Sequence, residues 1–131
     1  LTPITCMNFL TAQFNPNENA DGFVSLAGGS PAQNATETNV DDVLTPYALR
    51  FSTLRAQVDV APGGATGWTL TLRAAGAATA ATCTVTGAAT TCAYTGAAVT
   101  VAAGTKIDVG IVRTGTPAAA AEMLVSVCAA P

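Results

Sequence analysis

The stretch Trp68–Arg113, WTLTLRAAGAATAATCTVTGAATTCAYTGAAVTVAAGTKIDVGIVR, decides the fold because apolar and polar residues alternate along it with a period of two. Trp68, Leu70 and Leu72 interleave with Thr69, Thr71 and Arg73, and Ala81, Cys83 and Val85 with Thr82, Thr84 and Thr86. Successive side chains of an extended chain point to opposite faces, so each run predicts a strand with one dry and one wet side. Ala75-Gly76 and Tyr94-Thr95-Gly96 read as turns, and Gly87-Ala88 as the two-residue type II′ turn of a hairpin. That register sets Thr86 opposite Ala89 and Cys83 directly opposite Cys92, in a non-hydrogen-bonded pair. Cα atoms at such a site approach to about 4.5 Å, which a disulfide spans without distorting the backbone. The expectation is a β-meander with a Cys83–Cys92 bridge across one hairpin.

Outward from this stretch the pattern continues. Leu54, Ala56, Val58 and Val60 alternate with Arg55, Gln57 and Asp59 in a strand over 49–60, closed by the loop APGGATG. Toward the C-terminus, 97–101 and 106–113 read as strands around an Ala103-Gly104-Thr105 turn, TGTPAAAA as a connector, and 122–128 as a last strand. Toward the N-terminus, 1–14 is a first strand with apolar groups on both faces, so it is buried on two sides or is an edge that something covers. NPNENADG is turn-rich, 23–26 a short strand, AGGSPAQNATE a loop, and 38–43 a strand ended by Pro46. Eight to ten short strands at this spacing describe one all-β domain over residues 1–131, an antiparallel β-sandwich of jelly-roll type.

Composition bounds the function. Of 131 residues only 10% are charged and 5% aromatic, where an ordinary soluble domain carries roughly 25% charge. Ala, Thr and Gly therefore cover the outside, and a surface so poor in ions is expected to pack against copies of itself. The net charge is −3, and Arg50, Arg55, Arg73, Lys106 and Arg113 are scattered, which argues against a nucleic-acid partner. No apolar run of about 18 residues occurs, so no membrane-spanning helix is expected. A start at Leu1 points to removal of a signal peptide or to an artificial boundary, and four cysteines without a metal-type Cys-x-x-Cys point to secretion into an oxidising compartment.

Without histidine the chain builds no Ser-His-Asp or Cys-His nucleophile and no histidine metal site. Its carboxylates are Glu18, Asp21, Glu37, Asp41, Asp42, Asp59, Asp108 and Glu122, and adjacent Asp41 and Asp42 fall on opposite faces if extended. A glycosidase needs two facing carboxyls, and no pair declares itself. Glu37 with Asp41 and Asp42, or Glu18 with Asp21, offers oxygen ligands for calcium, but no loop motif supports a site. An enzyme, a cofactor and a metal are accordingly not expected. Asn34-Ala35-Thr36 fits the N-glycosylation sequon. Trp68, Tyr47 and Tyr94 are candidates for stacking on glycans, although Trp68 is in phase with Leu70 and Leu72 and so belongs to a core position. Four cysteines allow three pairings. With Cys83 joined to Cys92, Cys6 is left to pair with Cys128, either tying first strand to last or bonding a neighbouring subunit.

The segments APGGATGWTLTLRAAG, TCTVTGAATTC and VTVAAGTKIDVGIVRTGTP, between Leu54 and Pro117, resemble a group of bacterial and metagenomic secreted jelly-roll-like domains. The group is marked by a Pro-Gly loop, a TLR strand, a Cys-bracketed hairpin, an AAG turn and an SGTP-like ending. It is similar to the jelly-roll ends of bacterial surface and phage-associated structural proteins, and the resemblance implies a structural role. The expected function is a secreted subunit that assembles with copies of itself into a filament, sheath or virion-like surface. Its contacts would come from Ile4, Met7, Phe9 and Leu10 of the N-terminal strand, added to a neighbour's sheet edge. The rival expectation is a carbohydrate-binding module using the aromatics.

Overall fold

A computed structural model of the chain describes residues 6, 8–40 and 43–131. Among them eleven strands follow in order. They are β1 (Asn8–Asn15), β2 (Gly22–Val24), β3 (Ala27–Ala32), β4 (Val43–Leu44), β5 (Leu49–Val58) and β6 (Gly67–Ala74), then β7 (Ala77–Thr86), β8 (Thr91–Tyr94), β9 (Val99–Val101), β10 (Lys106–Thr114) and β11 (Met123–Ala130). One 3-10 turn occupies Glu37–Asn39. The strands form two packed sheets. A six-stranded sheet has the order β3-β1-β11-β5-β8, with β9 also on β5, and a five-stranded sheet the order β2-β10-β6-β7, with β4 also on β10.

All pairings are antiparallel except β1 with β3. The chain passes back and forth between layers. β11 slots between β1 and β5 in one sheet, and β10 between β2 and β6 in the other. Late strands inserted between early ones in both layers are the wound arrangement of a jelly roll.

The alternation that marks the strands also fills the space between sheets. Leu54, Ala56 and Val58 of β5 with Val125 and Val127 of β11 face Trp68, Leu70 and Leu72 of β6 with Val109 and Ile111 of β10, all buried. Burial of side chains this size contributes about 1.5–3 kcal/mol each against exposure, and drives the two layers together. The β6–β7 hairpin turns at Ala75 and Gly76, both at positive φ (51° and 76°), as its two-residue connection requires.

Three expectations are corrected. The turn at Gly87-Ala88 forms, with the Ala89 N–H donating to the Thr86 carbonyl at 3.2 Å, but it does not close a hairpin. β7 pairs with β6, and β8 crosses to pair with β5 in the other sheet. Cys83 and Cys92 are therefore joined across the core and not along a ladder. Second, Ala27–Ala32, read as loop, is the edge strand β3, held parallel to β1. Third, the strand expected over 38–43 shrinks to β4, because Glu37–Asn39 turns instead.

Candidate functional site

The outward residues of the six-stranded sheet fall into rows set by the register. Gln13, Leu124, Gln57 and Thr91 form one row, and Thr11, Ser126, Arg55 and Ala93 the next. Small side chains on either side of Arg55 leave a depression of about 550 Å³ over these strands. A second, of about 340 Å³, continues toward Phe9 and shares Arg55 and Ser126 with the first. Along one border the Gln13 amide donates to Glu122 Oε2. Arg55 itself has no hydrogen-bond or ion-pair partner among the described residues. The other arginines do: Arg50 Nε donates to the Pro131 carbonyl at 3.0 Å, Arg113 Nη1 to the Gly115 carbonyl at 2.7 Å, and Arg73 to Glu37.

The residues singled out from the sequence are dispersed. Trp68 is 0% exposed, so the expectation that it stacks on a glycan is corrected: it fills the core. Tyr94 is half-buried, its ring lies over Gly96, and its hydroxyl donates to the Ala97 carbonyl at 2.6 Å. Tyr47, 55% exposed, lines a depression of about 300 Å³ at one end of the sandwich, beside Leu44 and Ile107. No shared aromatic platform results. Phe9 projects outward, 66% exposed, whereas Leu10 is partly buried against the core of its own chain. Ile4 and Met7, and with them Asp41 and Asp42, lie outside the described residues. Asn34 is half-buried in an Asx turn, its Oδ1 accepting from the Thr36 N–H at 2.9 Å.

The structure does bring together carboxylates that the sequence kept apart. Asp108 of β10 pairs in register with Arg73 of β6, and the 3-10 turn lays Glu37 over both. Arg73 Nε and Nη2 donate to the two Glu37 oxygens at 2.5 and 3.2 Å, and Nη2 also reaches the Gly76 carbonyl. The guanidinium stands 5.3 Å from the centre of the Phe23 ring. The Arg73 stem crosses Gly110, where a Cβ would come within 2.9 Å of Arg73 Cδ. The fork of hydrogen bonds from Arg73 holds Glu37 below the ordinary glutamate pKa, and a hydrogen bond with Asp108 acts in the same direction. Glu37 in turn raises the Arg73 pKa. A catalytic pair needs substrate between its carboxyls, and Asp108 is 1% exposed, so this cluster pins the turn to the sheet. Among the described residues no group of three or more metal-binding side chains occurs.

Both disulfides form within the chain. Cys6 joins Cys128 with Cα atoms 5.5 Å apart, and Cys83 joins Cys92 at 5.7 Å. Two such bonds fit an oxidising, extracellular environment. No helix is long and apolar enough to cross a membrane among the described residues. Comparison with protein-family models, with curated proteins and with solved structures finds no match.

Proposed function

We propose that the chain is a secreted structural subunit that assembles with copies of itself, through a sheet edge and through neutral faces. The observation that carries this reading is β7. It is the outermost strand of the five-stranded sheet, ten residues long, and no described strand pairs with its outer edge. Natural proteins guard such edges with lysine, proline, bulges or brevity. Four of the other edge strands, β2, β4, β8 and β9, have four residues or fewer, and β3 carries two glycines and Pro31. β7 has an irregular register between Ala78 and Thr82, but from Thr82 to Thr86 it is regular and holds neither charge nor proline.

Beside this edge the surface is uniform. Thr69 meets Thr84 and Thr71 meets Thr82, each pair through a 2.8 Å hydroxyl hydrogen bond. Around these pairs the face is polar enough for water and cheap to dehydrate against another copy, the charges of Arg73 and Glu37 being paired with each other farther along β6. The resemblance of 54–117 to domains of surface structural proteins supports the same reading. We place the subunit contact at the β7 edge, on the layer away from Leu10, which packs in part against the chain's own core.

Light scattering coupled to size exclusion, with negative-stain microscopy, tests the proposal. The expected result is concentration-dependent assembly that is lost on Thr82→Lys with Thr84→Lys while the far-ultraviolet circular dichroism is unchanged. A wild-type chain that stays monomeric at high concentration overturns it.

A further inference from the structure

We propose that the outer face of the six-stranded sheet binds a carboxylated saccharide, with Arg55 as the anchor for its carboxylate. This site lies on the layer opposite β7 and does not rest on the assembly reading. An acid directly across from a guanidinium in mid-sheet would stabilise the pair. Here its cross-strand neighbours are Ser126 and Ala93, and its neighbours along the strand are Thr53 and Gln57. No described acid or carbonyl engages it, while each of the other three arginines is engaged.

The surroundings narrow the class of anion. Arginine offers a planar fork that matches a carboxylate bidentately. Around it Gln57, Thr91, Ser126 and Thr11 present amides and hydroxyls that both donate and accept, as vicinal sugar hydroxyls require. Phe9 supplies an exposed ring at the far end, suited to the C–H face of a pyranose. The two depressions follow the strand from Gln57 to Thr53, about 13 Å at the rise of an extended chain, which is the length of a short oligosaccharide. An acidic peptide fits less well. Of the strands beneath it, β1, β11 and β5 have their backbone groups taken by the ladder, and only the outer edge of β8, four residues long, is offered for main-chain pairing.

The experiment is a titration of the full chain with trigalacturonate and with sialyllactose, followed by calorimetry and by amide chemical shifts. The expected result is binding of at least one of them, with shifts concentrated on β1, β11, β5 and β8 and weakening as salt is added. Arg55→Gln is expected to weaken binding more than about tenfold, the effect of losing a charge-assisted hydrogen-bond pair. Arg50→Gln, at the end of the same strand, is expected to leave it unchanged. The methyl ester of trigalacturonate is expected to bind as weakly as the Arg55 variant. Failure of both acidic saccharides to bind overturns the proposal. So does equal binding of the ester, unchanged binding by a folded Arg55→Gln protein, or equal binding of an oligoglutamate peptide.

Discussion

On the outer face of the five-stranded sheet, threonine answers threonine across β6 and β7. On the six-stranded sheet, Arg55 stands between Ser126 and Ala93 with no partner among the described residues. Both sheets turn the same kind of aliphatic side chain inward, so the core does not distinguish them. The difference is in how each outer surface meets its own hydrogen-bonding demand. Where neighbours satisfy one another, as along β6 and β7, the free backbone of β7 is left to bind. Where they do not, a side chain is left to bind, and the sheet's short edges offer little backbone. One layer is thus suited to contact by strand edge and the other to recognition by side chain.

The largest expected effects test whether the layers depend equally on their covalent ties. Cys6→Ala with Cys128→Ala opens a loop with a sequence separation of 122, and Cys83→Ala with Cys92→Ala one of 9. The chain-entropy relation gives losses of about 5 and about 2.6 kcal/mol respectively. Urea unfolding of both variants checks the order. Reversal would mean that the bond between sheets matters through packing more than through loop closure, since Cys83 is buried.

Next come the facing core positions. Leu54→Ala in one sheet and Leu70→Ala in the other are each expected to lose about 3 kcal/mol, both residues being fully buried. Thermal unfolding showing one of them nearly neutral would identify that layer as the one able to collapse around a cavity.

A smaller effect concerns the turn pinned on the five-stranded sheet. Because the fold lowers the Glu37 pKa, its stabilisation is complete above the ordinary glutamate value of about 4.3. It is lost as pH falls through the lowered value. Glu37→Gln is expected to cost at most about 1 kcal/mol at neutral pH and to flatten the stability profile in acid, measured by denaturant titration at several pH values. Smallest of all, Thr69→Val with Thr84→Val is expected to stay within about 1 kcal/mol, and Arg55→Gln within about 0.5 kcal/mol, by the same method. A large loss for Arg55→Gln would make that residue structural and erase the contrast between faces.

Much of this was legible in the sequence, and the misreadings are informative. Alternation placed Trp68, Leu70, Leu72, Val109 and Ile111 in the core, because inward facing is a local property of a strand. The Cys83–Cys92 bond was expected for a reason the structure replaces. Strands carrying two cysteines nine residues apart around a tight turn can lie side by side or arch from one sheet to the other, and their alternation is the same in both cases. In the arch the two inward-facing sulfurs meet across the core. β3 was hidden because Gly28, Gly29 and Pro31 speak against a strand, and only the neighbouring β1 makes it one. Glu37, Arg73 and Asp108 are some 35 residues apart in sequence and meet through the register of β6 on β10, which no spacing rule reports. Arg55 was visible as one positive charge among five. What sets it apart is the size of its cross-strand neighbours, known only once pairing is known.

The Cys6–Cys128 bond has a mechanical consequence. Residues 6 and 128 enclose every strand except the last two residues of β11, so once that short end is peeled away, tension entering before Cys6 and leaving after Cys128 passes through a single sulfur–sulfur linkage. The interstrand hydrogen bonds within the enclosed loop then carry none of that load. Pulled this way, the domain is inextensible while the linkage stays oxidised, and becomes a yielding element only after reduction.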